Sequence, residues 1–148
     1  MQHVVVKLKK LNENAIVPKY GTEFSAGADL YACEGKDIVI KPHQSTFVHT
    51  GVAIEIPDGL VGLVYARSGL ASKRALAPSN KVGVIDCDYR GEIMVSIHNH
   101  SNEAQTIADK ERIAQLVIAP CFVADFEEVD ELSNSERGQG GFGSTGKM

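Results

Sequence analysis

Residues 83–97 read Gly83-Val-Ile-Asp-Cys-Asp-Tyr-Arg-Gly-Glu-Ile-Met-Val-Ser-Ile97. Val82, Val84 and Ile85 have the character of a buried strand end. Gly91 permits a turn with φ > 0, and Glu92 to Ile97 resumes an extended pattern. The polar residues between them are therefore expected to crown a hairpin. Residues two apart on a strand share a face, so Asp86 and Asp88 would point together and Cys87 away. Two carboxylates so close resist joint ionisation. One could act as a base on water, or the pair could hold a divalent cation. A plain reading stays open beside these, a polar hairpin tip whose Asp side chains bond their own turn.

Working outward, the same strand-and-turn grammar recurs along the chain. Extended pieces are expected at His3 to Leu8, Ala28 to Ala32, Asp37 to Ile40, Thr46 to Val48, Val52 to Ile56, Leu60 to Ala66, Ile93 to His98, Arg112 to Ala119 and Val123 to Phe126. Pro18 to Gly21, Glu34-Gly35-Lys36, Pro42, Gly51 and Asp58-Gly59 punctuate them. Ser68 to Ala75 holds helix formers behind a serine suited to an N-cap, and it is the one convincing helix. Frequent strands without long helices predict an all-β sandwich, barrel or jelly roll. The stretch His98 to Ala108 has no clear assignment.

With 148 residues the chain suits one domain with one core. A net charge of −4 offers no general basic field for nucleic acid, so an anionic ligand would need a local cluster of donors. Cys33, Cys87 and Cys121 are odd in number and form no CxxC pair, which argues against a disulfide framework or zinc ribbon and fits a reducing cytoplasm. The N-terminal apolar stretch is too short for a signal peptide, and no run approaches a membrane span. His98 and His100 share a strand face, but no third ligand accompanies them, so they read as solvated.

After Val129 the composition turns acidic and Ser-rich, then glycine-rich from Arg137 to Gly146. The expected division is a domain over 1–132 and a mobile arm over 133–148. Glycine N–H groups, the Ser144 and Thr145 hydroxyls, the Arg137 fork and the Phe142 ring together suit a nucleoside polyphosphate. Gly141 to Lys147 begins like a P-loop, but Met148 stands where Ser or Thr is needed and no strand leads in.

Five segments in order, Ala26–Ala32, Ala66–Ala71, Gly83–Gly91, Arg112–Leu116 and Arg137–Gly146, resemble the motifs of the trimeric deoxyuridine triphosphate nucleotidohydrolases, the dUTPases. The resemblance implies an all-β, jelly-roll-like subunit of β-clip type, with one short helix and a flexible C-terminal arm, assembling as a homotrimer with shared active sites. It implies Mg²⁺-dependent hydrolysis of dUTP to dUMP and pyrophosphate in the cytoplasm. Such an activity limits uracil incorporation into DNA and supplies dUMP for dTMP synthesis. By similarity Asp86 activates the water that attacks the α-phosphorus, and Gln115 helps hold that water or the α-phosphate. Tyr89 lies under the deoxyribose. Asn80 sits where the family reads the uracil edge, largely through backbone groups, and Val84 and Ile85 are substrate-binding. Arg67, Ser68 and Gly69 meet the phosphates. Arg137, Ser144 and Thr145, with Gly143 beside them, grip the γ-phosphate while Phe142 covers the uracil. Mg²⁺ rides mainly on the triphosphate, and Asp29 supports it through water.

Two other function classes fit the same fold. A dCTP deaminase-like enzyme would need an acid-base carboxylate at the base pocket, which the sequence does not identify. A non-catalytic nucleotide-sensing trimer would need no poised water. Arg112 reads as a structural ion-pair partner, and Gln115, between Ala114 and Leu116, has an alternative reading as a buried amide satisfied by backbone.

Overall fold

The computed structural model describes residues 3–141. In chain order its elements are β1 (Lys7–Lys10), β2 (Lys19–Tyr20), β3 (Ala28–Tyr31), β4 (Ile38–Ile40), β5 (Ser45–Glu55), β6 (Leu60–Tyr65), α1 (Ser68–Arg74), β7 (Leu76–Pro78), β8 (Gly83–Ile85), β9 (Glu92–Asn99), β10 (Gln105–Ile107) and β11 (Arg112–Pro120). They form three sheets, ordered β1-β5-β9-β7, β10-β4 and β2-β3-β11-β6-β8. Every described pairing is antiparallel. The expected all-β, jelly-roll-like architecture is what forms.

Alternation explains the core. Along β9, Ile93, Val95 and Ile97 are buried while Met94 faces out, and along β3 Ala28 and Leu30 are buried. Leu30, Ile93, Val95 and Ile97 meet Ile40, Val48, Val52, Leu76, Ile107 and Ile113 in one apolar cluster. Two buried polar side chains are satisfied. Asn99 donates to the carbonyls of Ile40 at 2.9 Å and Glu103 at 2.8 Å and accepts from Ser101, and Thr50 donates to the Ile93 carbonyl.

The central stretch departs from its expected form. β8 pairs with β6, while β9 pairs with β5 and β7, so the two flanks of Asp86–Arg90 enter different sheets and form no hairpin. Val84 is 64% exposed instead of buried. The strand ends at Ile85, and Asp86 to Tyr89 is a turn closed by the Tyr89 N–H on the Asp86 carbonyl at 3.1 Å. The two-residue alternation that would align Asp86 with Asp88 therefore has no strand to act through. Gly91 does not adopt a positive φ, so turn geometry is not what requires a glycine there.

Other differences are local. Pairing of the first strand starts at Lys7, because Val4 and Val5 lack a neighbouring strand. Thr46–Val48 and Val52–Glu55 belong to one long β5, which ends one residue short of the expected Ile56 and whose register shifts between His49 and Ala53 around Gly51, at φ 68°. Ser68 is not the N-cap of α1: Arg67 holds that position in extended conformation, without a side-chain cap. No strand forms at Val123–Phe126, where Val123 and Phe126 are each 95% exposed. Three-residue β7 and β10 escaped the sequence reading, being too short to show a period.

Candidate active site

The divergence of β8 and β9 into separate sheets opens a cavity of about 240 Å³ between them. Asn80, Val84, Ile85, Asp86 and Tyr89 all line it, as the sequence grouped them. Phe47, Val64, Glu92 and Met94 join them from β5, β6 and β9, and sequence reasoning missed these four. Phe47 and Met94 are exposed on the outward-facing positions of β5 and β9, where they put large apolar side chains at the cavity. The lining mixes apolar side chains with the polar groups of Asn80, Asp86, Tyr89, Glu92 and Ser96, which could orient a small molecule.

Glu92 is a carboxylate at this cavity, but it is already engaged. It accepts the Gly51 N–H at 2.8 Å and His49 Nδ1–H at 2.9 Å. Burial pushes its carboxyl up, yet the His49 bond and the Gly51 and Thr50 N–H groups outweigh that, and the group sits below its ordinary value. A carboxyl held ionised by three donors is poorly suited to the proton relay that a deaminase reading requires.

A second cavity, of about 360 Å³, gathers Asp29, Arg67, Ser68, Gly69, Arg112 and Gln115 with the Gly21–Gly27 loop. Its construction rests on β11. Gln115 lies opposite Asp29 on β3, so the two share a face. Arg112 is three residues from Gln115 and would normally face away. The register shift between Arg112 and Ala114 inserts one extra residue and turns Arg112 to the same side. Asp29 then accepts Arg67 Nε at 2.7 Å and Arg112 Nη1 at 3.2 Å, so Arg112 is the ion-pair partner expected, though at the site's edge. Two guanidiniums against one carboxylate leave the cavity positive, and the uncapped first turn of α1 adds N–H groups. Gln115 donates to the Ala66 carbonyl at 2.9 Å, which fixes the amide and leaves its oxygen without a described partner.

The two cavities share no lining residue. Ile85 lies opposite Gly62 and Gln115 opposite Tyr65, three residues apart along β6, a span of about 10 Å. One chain therefore holds Asp86 and Tyr89 in one place and Arg67, Ser68, Gly69, Asp29 and Gln115 in another.

Arg137 is exposed and donates from Nε to the Gly140 carbonyl at 2.9 Å. Phe142, Gly143, Ser144 and Thr145 lie outside the described residues. Among the described residues no three His, Cys, Asp or Glu side chains converge to hold a metal ion, and both Asp29 oxygens accept from arginines. That donor set does not suit a protein cage. It does suit an ion carried on a ligand's own oxygens and reached from Asp29 through water. His98 and His100 stack edge to face at 4.4 Å, with His98 Nδ1 against Ser45 Oγ at 2.9 Å. Among the described residues no helix is long and apolar enough to cross a membrane.

Comparison with known proteins points one way. The dUTPase family model matches residues 13–146. A deoxyuridine 5'-triphosphate nucleotidohydrolase of Nautilia profundicola is 52% identical over 142 residues, covering 96% of this chain and 99% of that one. Among solved structures, a mutant of the Staphylococcus bacteriophage 80alpha dUTPase with dUpNHpp superposes with a TM-score of 0.88 at 31% identity, over 96% of this chain and 98% of that chain. A mutant dUTPase of phage phi11 of S. aureus, described with a structural Mg(II) ion, gives 0.78 at 27% identity over 86% and 98%.

Proposed function

The chain belongs to the dUTPase family, and from that premise we infer that it hydrolyses dUTP to dUMP and pyrophosphate. The observation that carries the chemistry is the pairing of a cavity of mixed apolar and polar lining that bears an exposed carboxylate, Asp86, with a separate cationic cavity. A base fits the first and a polyphosphate the second.

Asp86 takes the proton of a water as its oxygen attacks the α-phosphorus. The bond from that phosphorus to the oxygen bridging to the β-phosphorus breaks, and pyrophosphate leaves. Tyr89 packs against the deoxyribose, and Asn80, Val84 and Ile85 enclose the uracil. Arg67, Ser68 and Gly69 receive the phosphates, while Gln115 orients the water or the α-phosphate. The arm from residue 133 onward brings Arg137, Phe142, Gly143, Ser144 and Thr145 over the bound nucleotide. Mg²⁺, held mainly by the triphosphate with Asp29 behind a water, would neutralise phosphate charge. A cytoplasmic setting accords with three free cysteines.

The separation of the cavities supports a homotrimer with shared sites, in which the base cavity of one protomer would meet the phosphate cavity of its neighbour. The exposed Phe122, Val123, Phe126 and Leu132 support assembly, since so much apolar surface in one segment calls for a cover.

Asp86→Asn tests the mechanism. It keeps shape and hydrogen bonding but removes the proton acceptor. Pyrophosphate release should fall by roughly 10² or more while dUTP binding, measured by calorimetry, persists. Asp88→Asn should cost far less. An active Asp86→Asn enzyme would end the proposal, and equal losses from both would favour a paired metal site.

A further inference from the structure

Tyr89 folds back over Gly91. Its hydroxyl donates to the Glu92 carbonyl at 3.0 Å. A Cβ built on Gly91 would stand 2.4 Å from the Tyr89 hydroxyl oxygen, 2.6 Å from Cζ and 3.0 Å from Cε2. Since the Gly91 backbone avoids the left-handed region, conformation does not demand glycine. Empty space does. The three nearest atoms all belong to the Tyr89 side chain, so a methyl group there would displace the ring before it disturbed any backbone. The other end of the contact is firm, because the Glu92 carboxylate is tied to Gly51 and His49 on β5.

We propose that Gly91 is a positioning residue for sugar selection: by lacking a Cβ it lets the Tyr89 ring lie where a 2′-hydroxyl would collide with it. The proposal rests on the reading that Tyr89 packs against the deoxyribose. It assigns discrimination between dUTP and UTP to a residue that touches neither. An aromatic face set by one hydrogen bond and one gap is lost when the gap is filled, even though the ring remains.

The test compares Gly91→Ala, Tyr89→Ala and the double variant in the full-length protein, with kcat/KM for dUTP and UTP and thermal unfolding. Gly91→Ala should lower the dUTP to UTP preference about tenfold. Tyr89→Ala should lower it at least as far, and the double variant should match Tyr89→Ala alone, because the methyl has no ring left to displace. If Tyr89→Ala loses the preference and Gly91→Ala keeps it, the positioning role falls and the sugar reading stands. An unchanged preference in Tyr89→Ala overturns the sugar reading and the positioning role with it. Additive losses in the double variant would also overturn the proposal, by showing that Gly91 acts elsewhere. Should Gly91→Ala fail to fold, the Tyr89→Ala background decides. Folding recovered there locates the clash at the ring, and failure in both overturns the assignment.

Discussion

Asp29 shows how much one side chain arranges. Its carboxylate is largely buried and binds two guanidiniums, Arg67 at 2.7 Å and Arg112 at 3.2 Å. An asparagine offers one neutral acceptor in place of two charged ones, so Asp29→Asn releases Arg67 from its fixed direction and leaves two cations facing each other. KM for dUTP at saturating Mg²⁺ should rise about tenfold, equivalent to about 1.4 kcal/mol of lost binding. The Mg²⁺ concentration for half-maximal rate should rise as well. A KM effect alone would remove the metal role, and neither effect would remove Asp29 from the site. A place for this residue in the site was legible through the resemblance, as metal support through water, but its contact with Arg67 was not. Its double pairing was not, since that depends on a shift in β11 that no spacing announces. Gly91 was singled out for a positive φ it does not adopt, while the close approach that does require glycine comes from a side chain two residues away.

At the scale of elements, strand irregularities place the functional groups. The shift in β11 turns Arg112 toward Asp29, and the shift in β5 at Gly51 is held by Glu92 from across the sheet. The His49–Glu92 pair makes the second device sensitive to pH. The Glu92 bond raises His49 above its ordinary value of about 6.5, partly opposed by burial and assisted by the charges of Glu92 and Glu34. Glu92 lies below its ordinary value of about 4.3. A raised histidine stabilises fully below its unfolded pKa, and that stability is lost as pH rises through the folded value. A depressed carboxyl stabilises above its unfolded pKa, and that stability is lost as pH falls through the folded value. The pair therefore contributes most between about pH 4.3 and 6.5. The Tm difference between the wild type and His49→Gln should be largest in that window and should shrink towards pH 8. A difference independent of pH would mean that the pair does not couple to folding. The strands themselves were legible where turn signals bound them, as at Leu60–Tyr65. Pairing partners were not, because Gly83–Ile85 and Glu92–Asn99 are adjacent in sequence yet choose different sheets.

For the whole molecule, the decisive fact is that the separation of β8 from β9 makes one cavity and the shift in β11 makes another, with about 10 Å of β6 between them. The all-β class follows from short strands and turns alone, but the distance between the two halves of a site is a property of the closed sheets. Suppose each complete site joins the base cavity of one protomer to the phosphate cavity of the next around a three-fold axis. Asp86→Asn then damages only base cavities and Arg67→Gln only phosphate cavities. In a cyclic trimer with two protomers of one kind and one of the other, a single junction pairs an intact base cavity with an intact phosphate cavity, so about a third of the sites recover. Unfolding the two variants together and refolding them should restore dUTP hydrolysis that neither shows alone. Were each site built within one chain, every site in every mixed assembly would keep one defect. Continued inactivity, with mixed assemblies confirmed by native mass spectrometry, would place Asp86 and Arg67 in the same protomer's site.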